Sequence, residues 1–264
     1  MQKYNFLSLG AGRQSTAMAL MAAHGVIEPM PDAAIFADTG EEPRWVYETV
    51  AWLSSGNVLP FEVTTVGKGR LGEALLGGDD SARIPAFVGH GGMADRQCSR
   101  NWKIRPIRRA VRQALGVGPR GYIAPGTVSQ WIGISTNEAH RMKPSDVQFM
   151  VNRWPLIELG LTVGDCERWL LEHDYPVPWS SACVFCPYLG RKERKRIKDH
   201  DPAGHERACQ VDRGLRSPEN VERFRGQLYV DSQRRPLDQV DLDMPPSGRQ
   251  IEMFGNECEG ICGV

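Results

Sequence analysis

The stretch SLGAGRQST, Ser8–Thr16, decides the fold of this 264-residue chain. It follows the mostly apolar residues 4–7 and precedes the helix-like run AMALMAAHG at 17–25. Small and hydroxyl residues here stand where a strand passes into a helix, which is typical of a loop that cradles phosphate. This glycine loop has no lysine, so it is not GxxxxGK[ST], and it does not match GxGxxG either.

We expect the backbone at Gly10 and Gly12 to approach an anion closely. The hydroxyls of Ser8 and Ser15 can donate to phosphate oxygens. The helix after the loop, which Ser15 or Thr16 can cap, offers free N–H groups at its positive end. An ordinary strand-to-helix turn is the alternative interpretation of the glycine loop alone.

The pattern around the glycine loop predicts alternating strands and helices. DAAIFADTG reads as a second buried strand that ends at Asp38, Thr39 and Gly40, and a helix and a third strand follow. Strand, helix, strand, helix, strand predicts a parallel α/β sheet. Because ligands bind at the carboxyl ends of parallel strands, the glycine loop and residues 38–40 are expected to face one cleft.

Composition excludes some classes of partner. The chain has 41% hydrophobic residues, and 32 basic residues balance 32 acidic ones, so net charge gives no hint of a polyanion. No apolar run is long enough to span a bilayer, and the N-terminus does not resemble a secretory signal. We expect a cytoplasmic protein with no membrane partner, while the oligomeric state stays open.

The seven cysteines are expected to be thiols, metal ligands or catalysts rather than disulfides. Cys183 and Cys186 form a CxxC that needs further ligands to complete a four-coordinate metal site. Cys98 and the tail cysteines, Cys258 and Cys262, are the candidates. Zinc and a [4Fe–4S] cluster both suit thiolates, and a pair of free or redox thiols is the simpler alternative.

Further polar residues stand at a later strand end, in WIGISTNEAHR, 131–141. Gly133 ends the strand, and Glu138 and Arg141 are three residues apart, which suits an ion pair or a grip on a ribose and phosphate. Two basic clusters, 100–112 and 191–198, follow key cysteines and suit a polyanion such as a nucleotide or nucleic acid. Solvated helix faces are the alternative for both clusters.

Taken together, these motifs resemble those of the phosphoadenylyl-sulfate (PAPS) and adenylyl-sulfate (APS) reductase family, within the adenine-nucleotide α-hydrolase superfamily of PP-loop ATP pyrophosphatases. The motifs, in chain order, are the glycine loop, the DTG at 38–40 with its following helix, Cys98 to Pro106 with Lys103, the segment 133–141, the stretch 154–178, the CxxC followed by proline, and the tail NECEGICGV. The order of the motifs, more than any one of them, carries the resemblance.

The resemblance implies a Rossmann-like α/β sheet with helices on both faces, a cysteine-bearing loop and helical region, and an extended C-terminal tail. It implies a nucleotide-binding domain over 1–160 and a cysteine-rich, basic region over 161–264 packed on it. The implied nucleotide-binding residues are Ser8, Gly10, Gly12, Arg13, Gln14, Ser15, Asp38, Thr39, Gly40, Gly133, Glu138 and Arg141. The implied catalytic residues are Cys258, Cys262 and Lys103, and the implied metal ligands are Cys98, Cys183, Cys186 and Cys258.

The chain departs from the family pattern at several positions. Gln14 stands where PP-loop enzymes have aspartate, and Ser135 stands where the reductases have arginine. Gln97 precedes Cys98 where cluster-binding reductases have a second cysteine, and the tail has two cysteines instead of one. These differences favour a sulfur-transfer enzyme over a sulfonucleotide reductase.

Three functions are therefore open at this point. The first is thiolation of an acceptor, which depends on ATP, Mg²⁺ and a [4Fe–4S] cluster. In this reaction ATP is cleaved to AMP and pyrophosphate. DNA or RNA is a candidate acceptor, and a protein is a candidate sulfur donor. The second is an APS or PAPS reductase with a tail cysteine as nucleophile. The third is a zinc-stapled nucleotide-binding module without catalysis.

Overall fold

A computed structural model describes residues 3–243 of the chain. The strands in this range are β1 Tyr4–Leu9, β2 Ala33–Asp38, β3 Glu62–Gly67, β4 Phe87–Val88, β5 Val128–Ile132, β6 Met150–Arg153 and β7 Leu228–Tyr229. The α-helices are α1 Arg13–Ala23, α2 Arg44–Leu53, α3 Leu71–Leu76, α4 Arg105–Ala114, α5 Pro155–Glu158, α6 Val163–Glu172, α7 Arg191–His200, α8 Pro202–Gly214 and α9 Pro218–Phe224.

Five strands form one parallel sheet in the order β3-β2-β1-β5-β6. The predicted parallel α/β sheet is confirmed. The chain builds outward from β1 to β3 and then returns to place β5 on the other side of β1. Neighbouring crossovers therefore diverge between β1 and β5, which is where open α/β sheets form a ligand crevice.

Alternating side chains of the strands supply both faces of this sheet. Leu7 and Trp131 point to the face covered by α1 and α6, where Leu170 joins the same core. Phe6 and Val128 point to the opposite face, which α4 covers. Helices on both faces explain why nearly all residues of β1, β2 and β5 are buried.

A second apolar core lies beside the sheet. It contains residues of α3, the π-helical segment Ser99–Ile104 that leads into α4, the loop 182–186, α7 and α8. Trp102, Phe185 and Leu215 are among its buried members. The boundary at residue 160 stays a prediction, and α6, which follows it, packs on α1 in the first core.

One local expectation differs from the structure. Residues 67–97 contain α3 and β4, and β4 pairs antiparallel with β7 from the far end of the described chain. The helix after the glycine loop begins at Arg13, so Ser15 and Thr16 lie inside α1 and do not cap it. Among the described helices, none is long and apolar enough to cross a membrane.

Candidate functional site

The glycine loop turns from the end of β1 into α1 at the carboxyl edge of the sheet. Gly12 is the residue before α1, and no side chain caps that end of the helix. Ser15 Oγ is used within the loop instead, because it accepts from the Gly10 N–H at 3.2 Å and donates to the Gly12 carbonyl at 3.3 Å. An uncapped helix N-terminus at this edge is suited to an anion.

Gly133, at the end of β5, lies directly against the glycine loop. A methyl group on its α-carbon would stand 3.1 Å from both the nitrogen and the α-carbon of Ser15. Such a contact with backbone cannot be relieved by turning a side chain, so only glycine lets the two segments approach this closely. The predicted residues of the two strand ends are thus brought together.

Gln14 connects the first turn of α1 to the segment after β5. Its Nε2 donates to Ser135 Oγ at 2.7 Å and to Glu138 Oε2 at 2.6 Å, and Arg141 donates to the other oxygen of Glu138. All four side chains are buried. The two departures from the family pattern, Gln14 and Ser135, therefore form one hydrogen-bonded network with the predicted pair Glu138 and Arg141.

Ser8 and Arg13 do not point at the loop's centre. Ser8 Oγ accepts from Gln130 Nε2 on the face of the sheet that α4 covers. Arg13 Nη1 pairs with Glu167 of α6 at 2.6 Å. Their predicted role in nucleotide binding stays a prediction, with each side chain anchored to a neighbouring element.

Asp38, Thr39 and Gly40 turn at the end of β2. Asp38 Oδ1 accepts from the Gly40 N–H at 2.7 Å and from Tyr47 Oη at 3.0 Å. Burial raises the pKa of Tyr47, so its hydroxyl keeps the proton that it donates to Asp38. Thr39 is fully buried and its hydroxyl lies 3.2 Å from Cys183 Sγ.

Three cysteines line one pocket next to this turn. Cys98, Cys183 and Cys186 border one cleft that is partly open to solvent and is called the thiol pocket. Its other lining residues are Thr39, Leu71, Ile84, Pro85, Arg96, Ser99, Lys103, Phe185, Pro187 and Tyr188. The structure places Cys98 and the CxxC, which the sequence analysis grouped together, at this one pocket.

The environment of the pocket keeps these thiols protonated. Burial raises the pKa of Cys98, raises that of Cys183 well above its usual value, and raises that of Cys186 to about 11. A thiol is a much weaker nucleophile than a thiolate. Burial in the pocket therefore favours the protonated, less nucleophilic form of all three thiols.

Lys103 brings a buried positive charge to the pocket. Burial alone would lower its pKa, but the charge of Glu42 outweighs that effect and raises it. Its Nζ lies 3.2 Å from Glu42 Oε1. Lys103, predicted from the sequence, is thus held as a cation between a carboxylate and the CxxC.

Sequence reasoning missed three residues that build this region. Glu42 follows the DTG turn and pairs with Lys103, and an acidic pair directly after a strand end was a signal for it. Ser181 approaches the glycine loop, since a methyl group on Gly12 would lie 3.1 Å from its Oγ. No local pattern indicated that contact.

Arg194 is the third missed residue. It sits in the basic run 191–198 but is only 4% exposed. Its guanidinium donates to the carbonyl of Cys186 at 3.2 Å and to that of Val230 at 2.9 Å. One arginine of the predicted polyanion cluster therefore holds the cysteine loop in place instead of facing solvent.

The predicted metal site is only partly within the described residues. Cys258 and Cys262 lie outside the range 3–243. Within that range, no group of three or more His, Cys, Asp or Glu side chains is placed to hold a metal ion. Three thiols suit zinc or iron in kind, but their arrangement among the described residues does not form a ligand set.

No family model and no curated protein sequence matches the chain. Among solved structures, the chain is similar to phosphoadenylyl-sulfate (PAPS) reductase from Candida auris in its phosphate complex. The two share 15% identity over 67% of this chain and 75% of that chain, with a TM-score of 0.44. A likeness at this level says nothing of what the chain binds. The parallel sheet and its crevice define an α/β fold with a candidate anion site beside a cluster of thiols.

Proposed function

We propose that this chain is an enzyme that binds an adenine nucleotide and carries out sulfur chemistry with it. One observation carries the proposal, namely that the loop 181–186 contacts both strand-end turns of the crevice. Ser181 lies against Gly12, and Cys183 lies 3.2 Å from Thr39 Oγ1. A phosphate at the N-terminus of α1 would therefore adjoin the thiol pocket. That the base of this nucleotide is adenine is inferred from the resemblance of the motifs to the family.

Within this class we favour reduction of a sulfonucleotide. The glycine loop has no carboxylate, and Gln14 is committed to Ser135 and Glu138. One oxygen of Asp38, Oδ1, already accepts from the Gly40 N–H and from Tyr47 Oη. Enzymes that cleave ATP usually hold Mg²⁺ through one or two carboxylates next to the phosphates. A phosphosulfate carries less charge than a triphosphate and has less need of that cation.

The reaction needs two thiols, which the sequence supplies at Cys258 and Cys262. The thiolate of one attacks the sulfur of the sulfonucleotide, the bond between that sulfur and the bridging oxygen breaks, and AMP or its 3′-phosphate leaves with the electron pair. The second thiol then attacks the sulfur of the modified cysteine, forming a disulfide and releasing sulfite. Lys103 contributes a fixed positive charge beside the departing sulfite.

ATP-dependent sulfur transfer is a second candidate because three cysteines share one pocket. In that case an oxygen of the acceptor attacks the α-phosphorus of ATP and pyrophosphate leaves. A sulfide supplied by a sulfur-donor protein then attacks the activated carbon of the acceptor, and AMP leaves with the electron pair of the C–O bond. Cys98, Cys183, Cys186 and Cys258 would hold a [4Fe–4S] cluster or zinc. Since the described residues do not form a ligand set, no step is assigned to that group.

One pair of assays separates the candidates. Protein purified without oxygen is given APS or PAPS with a dithiol reductant, and sulfite is measured; parallel samples receive ATP and Mg²⁺, and AMP and pyrophosphate are measured. Sulfite formation that disappears in Cys258→Ser or Cys262→Ser but survives in Cys209→Ala, a buried cysteine of α8, supports the reductase.

Other outcomes decide against it. Release of AMP and pyrophosphate from ATP without sulfite supports sulfur transfer. Nucleotide binding without turnover in either assay contradicts the enzyme proposal and leaves a binding module. Iron, zinc and acid-labile sulfide measured on the same sample show whether the cysteines hold a metal.

A further inference from the structure

An exposed tryptophan stands just before the loop that carries the CxxC. Trp179 is 37% exposed, although tryptophan is mostly buried in folded chains. The guanidinium of Arg196 lies 5.1 Å from the centroid of its ring, and the imidazole ring of His200 lies 4.8 Å from it. Trp45 meets the same ring edge-on at 5.0 Å. These four residues, together with Lys192, are called the Trp179 surface.

Lys192, Arg196 and His200 lie on one face of α7, because they follow one another at intervals of four residues. The lysines of the neighbouring face are neutralised, since Lys195 and Lys198 pair with aspartates. Lys192, which is exposed, and Arg196 pair with no carboxylate among residues 3–243. Positive charge without a countercharge is therefore found on the side of α7 that faces Trp179.

Acidic groups near this face of α7 are engaged elsewhere. Asp201 follows α7 directly, and its two oxygens accept from backbone N–H groups, one of them that of Arg44 at 3.0 Å. Glu48 pairs with the guanidinium of Arg44 at 3.3 Å. Glu193 lies over Gly190, since a methyl group on that glycine would meet its Oε2 at 2.8 Å. The Trp179 surface is therefore suited to an anionic ligand.

An exposed aromatic ring beside positive charge is the combination that binds single-stranded polynucleotides. Bases stack on such rings, and arginine and lysine neutralise the phosphates between the bases. A duplex keeps the faces of its bases covered by their neighbours, so it cannot stack on Trp179. An acidic peptide would engage the charges of Lys192 and Arg196 but would leave the exposed ring without a stacking partner.

The Trp179 surface adjoins the candidate site. Trp45 Nε1 donates to the carbonyl of Ser180 at 3.3 Å, which holds the chain next to Trp179. The following residue, Ser181, lies against Gly12 at the N-terminus of α1. Trp179 is thus two residues, at most about 7 Å along the chain, from the contact with the glycine loop. A strand bound at Trp179 would lie beside the crevice.

We propose that the Trp179 surface binds a single-stranded polynucleotide, with one base stacked on Trp179 and the adjacent phosphates on Lys192 and Arg196. These contacts use the face of a base and the charge of the backbone, so the surface accepts any base sequence. DNA and RNA share both groups, and single strands of either bind equally. This binding goes beyond the proposed function and does not depend on which sulfur chemistry the chain performs.

The test measures the fluorescence anisotropy of a labelled oligothymidylate of about twelve nucleotides, with the full chain and no adenine nucleotide. Unlabelled oligothymidylate and an oligouridylate of the same length are expected to displace it equally. A duplex of that length and polyglutamate of equal charge should each compete about tenfold more weakly, because neither offers a free base. This ligand series uses the native chain, so it does not depend on whether a variant folds.

Variants test the aromatic ring. Trp179→Ala is expected to weaken the binding of oligothymidylate about tenfold, which is the effect of losing one stacked base. Trp179→Phe, which keeps an aromatic ring, should retain most of the affinity. Tyr122→Ala removes a ring that is 82% exposed outside the Trp179 surface, and it should bind as the native chain does.

Salt dependence tests the charges separately. The logarithm of the association constant is expected to fall linearly with the logarithm of the salt concentration, and each neutralised phosphate of a single strand contributes about 0.7 to the slope. Lys192→Gln should therefore reduce the slope by about 0.7. Lys195→Gln, on the same helix but paired with Asp199 and Asp243, should leave the slope unchanged.

Other results would overturn the proposal. Equal competition by polyglutamate would indicate an acidic protein partner, and preference for the duplex would indicate binding without stacking. Equal losses in Trp179→Ala and Tyr122→Ala, or a native salt slope in Lys192→Gln, would place the binding elsewhere on the chain. Absence of binding at about 50 mM salt would show that the surface is only solvated. None of these results bears on the proposed function, because the assay contains no adenine nucleotide and no sulfur substrate.

Discussion

Lys103 and Glu42 form a buried ion pair, with Nζ 3.2 Å from Oε1 and side chains that are 8% and 2% exposed. Removing one member leaves the other charge uncompensated away from water. Lys103→Met is therefore expected to lower the free energy of unfolding by roughly 3–5 kcal/mol, measured by urea denaturation.

The double variant Glu42→Gln, Lys103→Met is expected to recover most of that loss, because no lone charge remains buried. Lys192→Met, on the exposed side of α7, is the matched control and should be nearly neutral. Equal losses in the single and double variants would contradict the ion-pair explanation.

Gly133→Ala is expected to push the glycine loop away from the end of β5, because the new methyl group would meet the backbone of Ser15 at 3.1 Å. Overpacking of this kind costs roughly 1–3 kcal/mol of stability. If the loop binds phosphate, pyrophosphate binding should weaken as well. Gly118→Ala, whose methyl group would have nothing within 4 Å, is the control for both measurements.

Thr162→Ala is expected to destabilise the protein by about 1 kcal/mol, measured as a shift of the urea midpoint. Thr162 Oγ1 accepts from the Asp165 N–H at 3.2 Å, and Asp165 accepts in return from the Thr162 N–H at 2.9 Å. Thr65→Ala, at an exposed position of β3, removes the same atoms without a cap. Similar losses in both variants would mean that the capping box contributes little.

His205 is expected to make stability depend on pH below neutrality. Burial, followed by the charge of Lys198, lowers the pKa of His205 from its usual 6.5. The unfolded chain therefore binds a proton before the folded chain does, so stability is complete above pH 6.5 and falls as the pH drops through that value.

Unfolding curves between pH 5 and pH 8 test this dependence. His205→Gln should lose stability less steeply toward acid than the native chain, since glutamine does not titrate. His140→Gln, at an exposed site, should keep the native slope. A native slope in His205→Gln would show that other groups govern the acid limb.

Much of the sheet was predictable because its signals are local. Buried runs such as AAIFAD, bounded by turn residues, predict strands, and their alternation with helices predicts a parallel sheet. The glycine loop and DTG turn were located for the same reason, since a parallel sheet puts strand ends on one edge. The three pocket cysteines were found from the placement of cysteines along the chain, and Lys103 from the resemblance of the motifs.

What escaped prediction depends on contacts distant in sequence. A basic run predicts a solvated helix face, so the sequence does not distinguish Arg194 from its exposed neighbours. Only the folded chain shows that Arg194 is buried against the carbonyls of Cys186 and Val230. Ser8 was expected to face a phosphate, but the alternation of β1 turns its side chain toward α4. The predicted roles of Cys258 and Cys262 lie outside the described residues.

The two carbonyls held by Arg194 have a consequence for the order of assembly during synthesis. Val230 is near the end of the described chain, and Asp212 accepts from its N–H at 2.8 Å. The support that Val230 gives, through Arg194, to the loop that carries the CxxC therefore forms only after some forty further residues have left the ribosome. The sheet and its glycine loop can therefore form early in synthesis, whereas the thiols of the CxxC reach their final arrangement later.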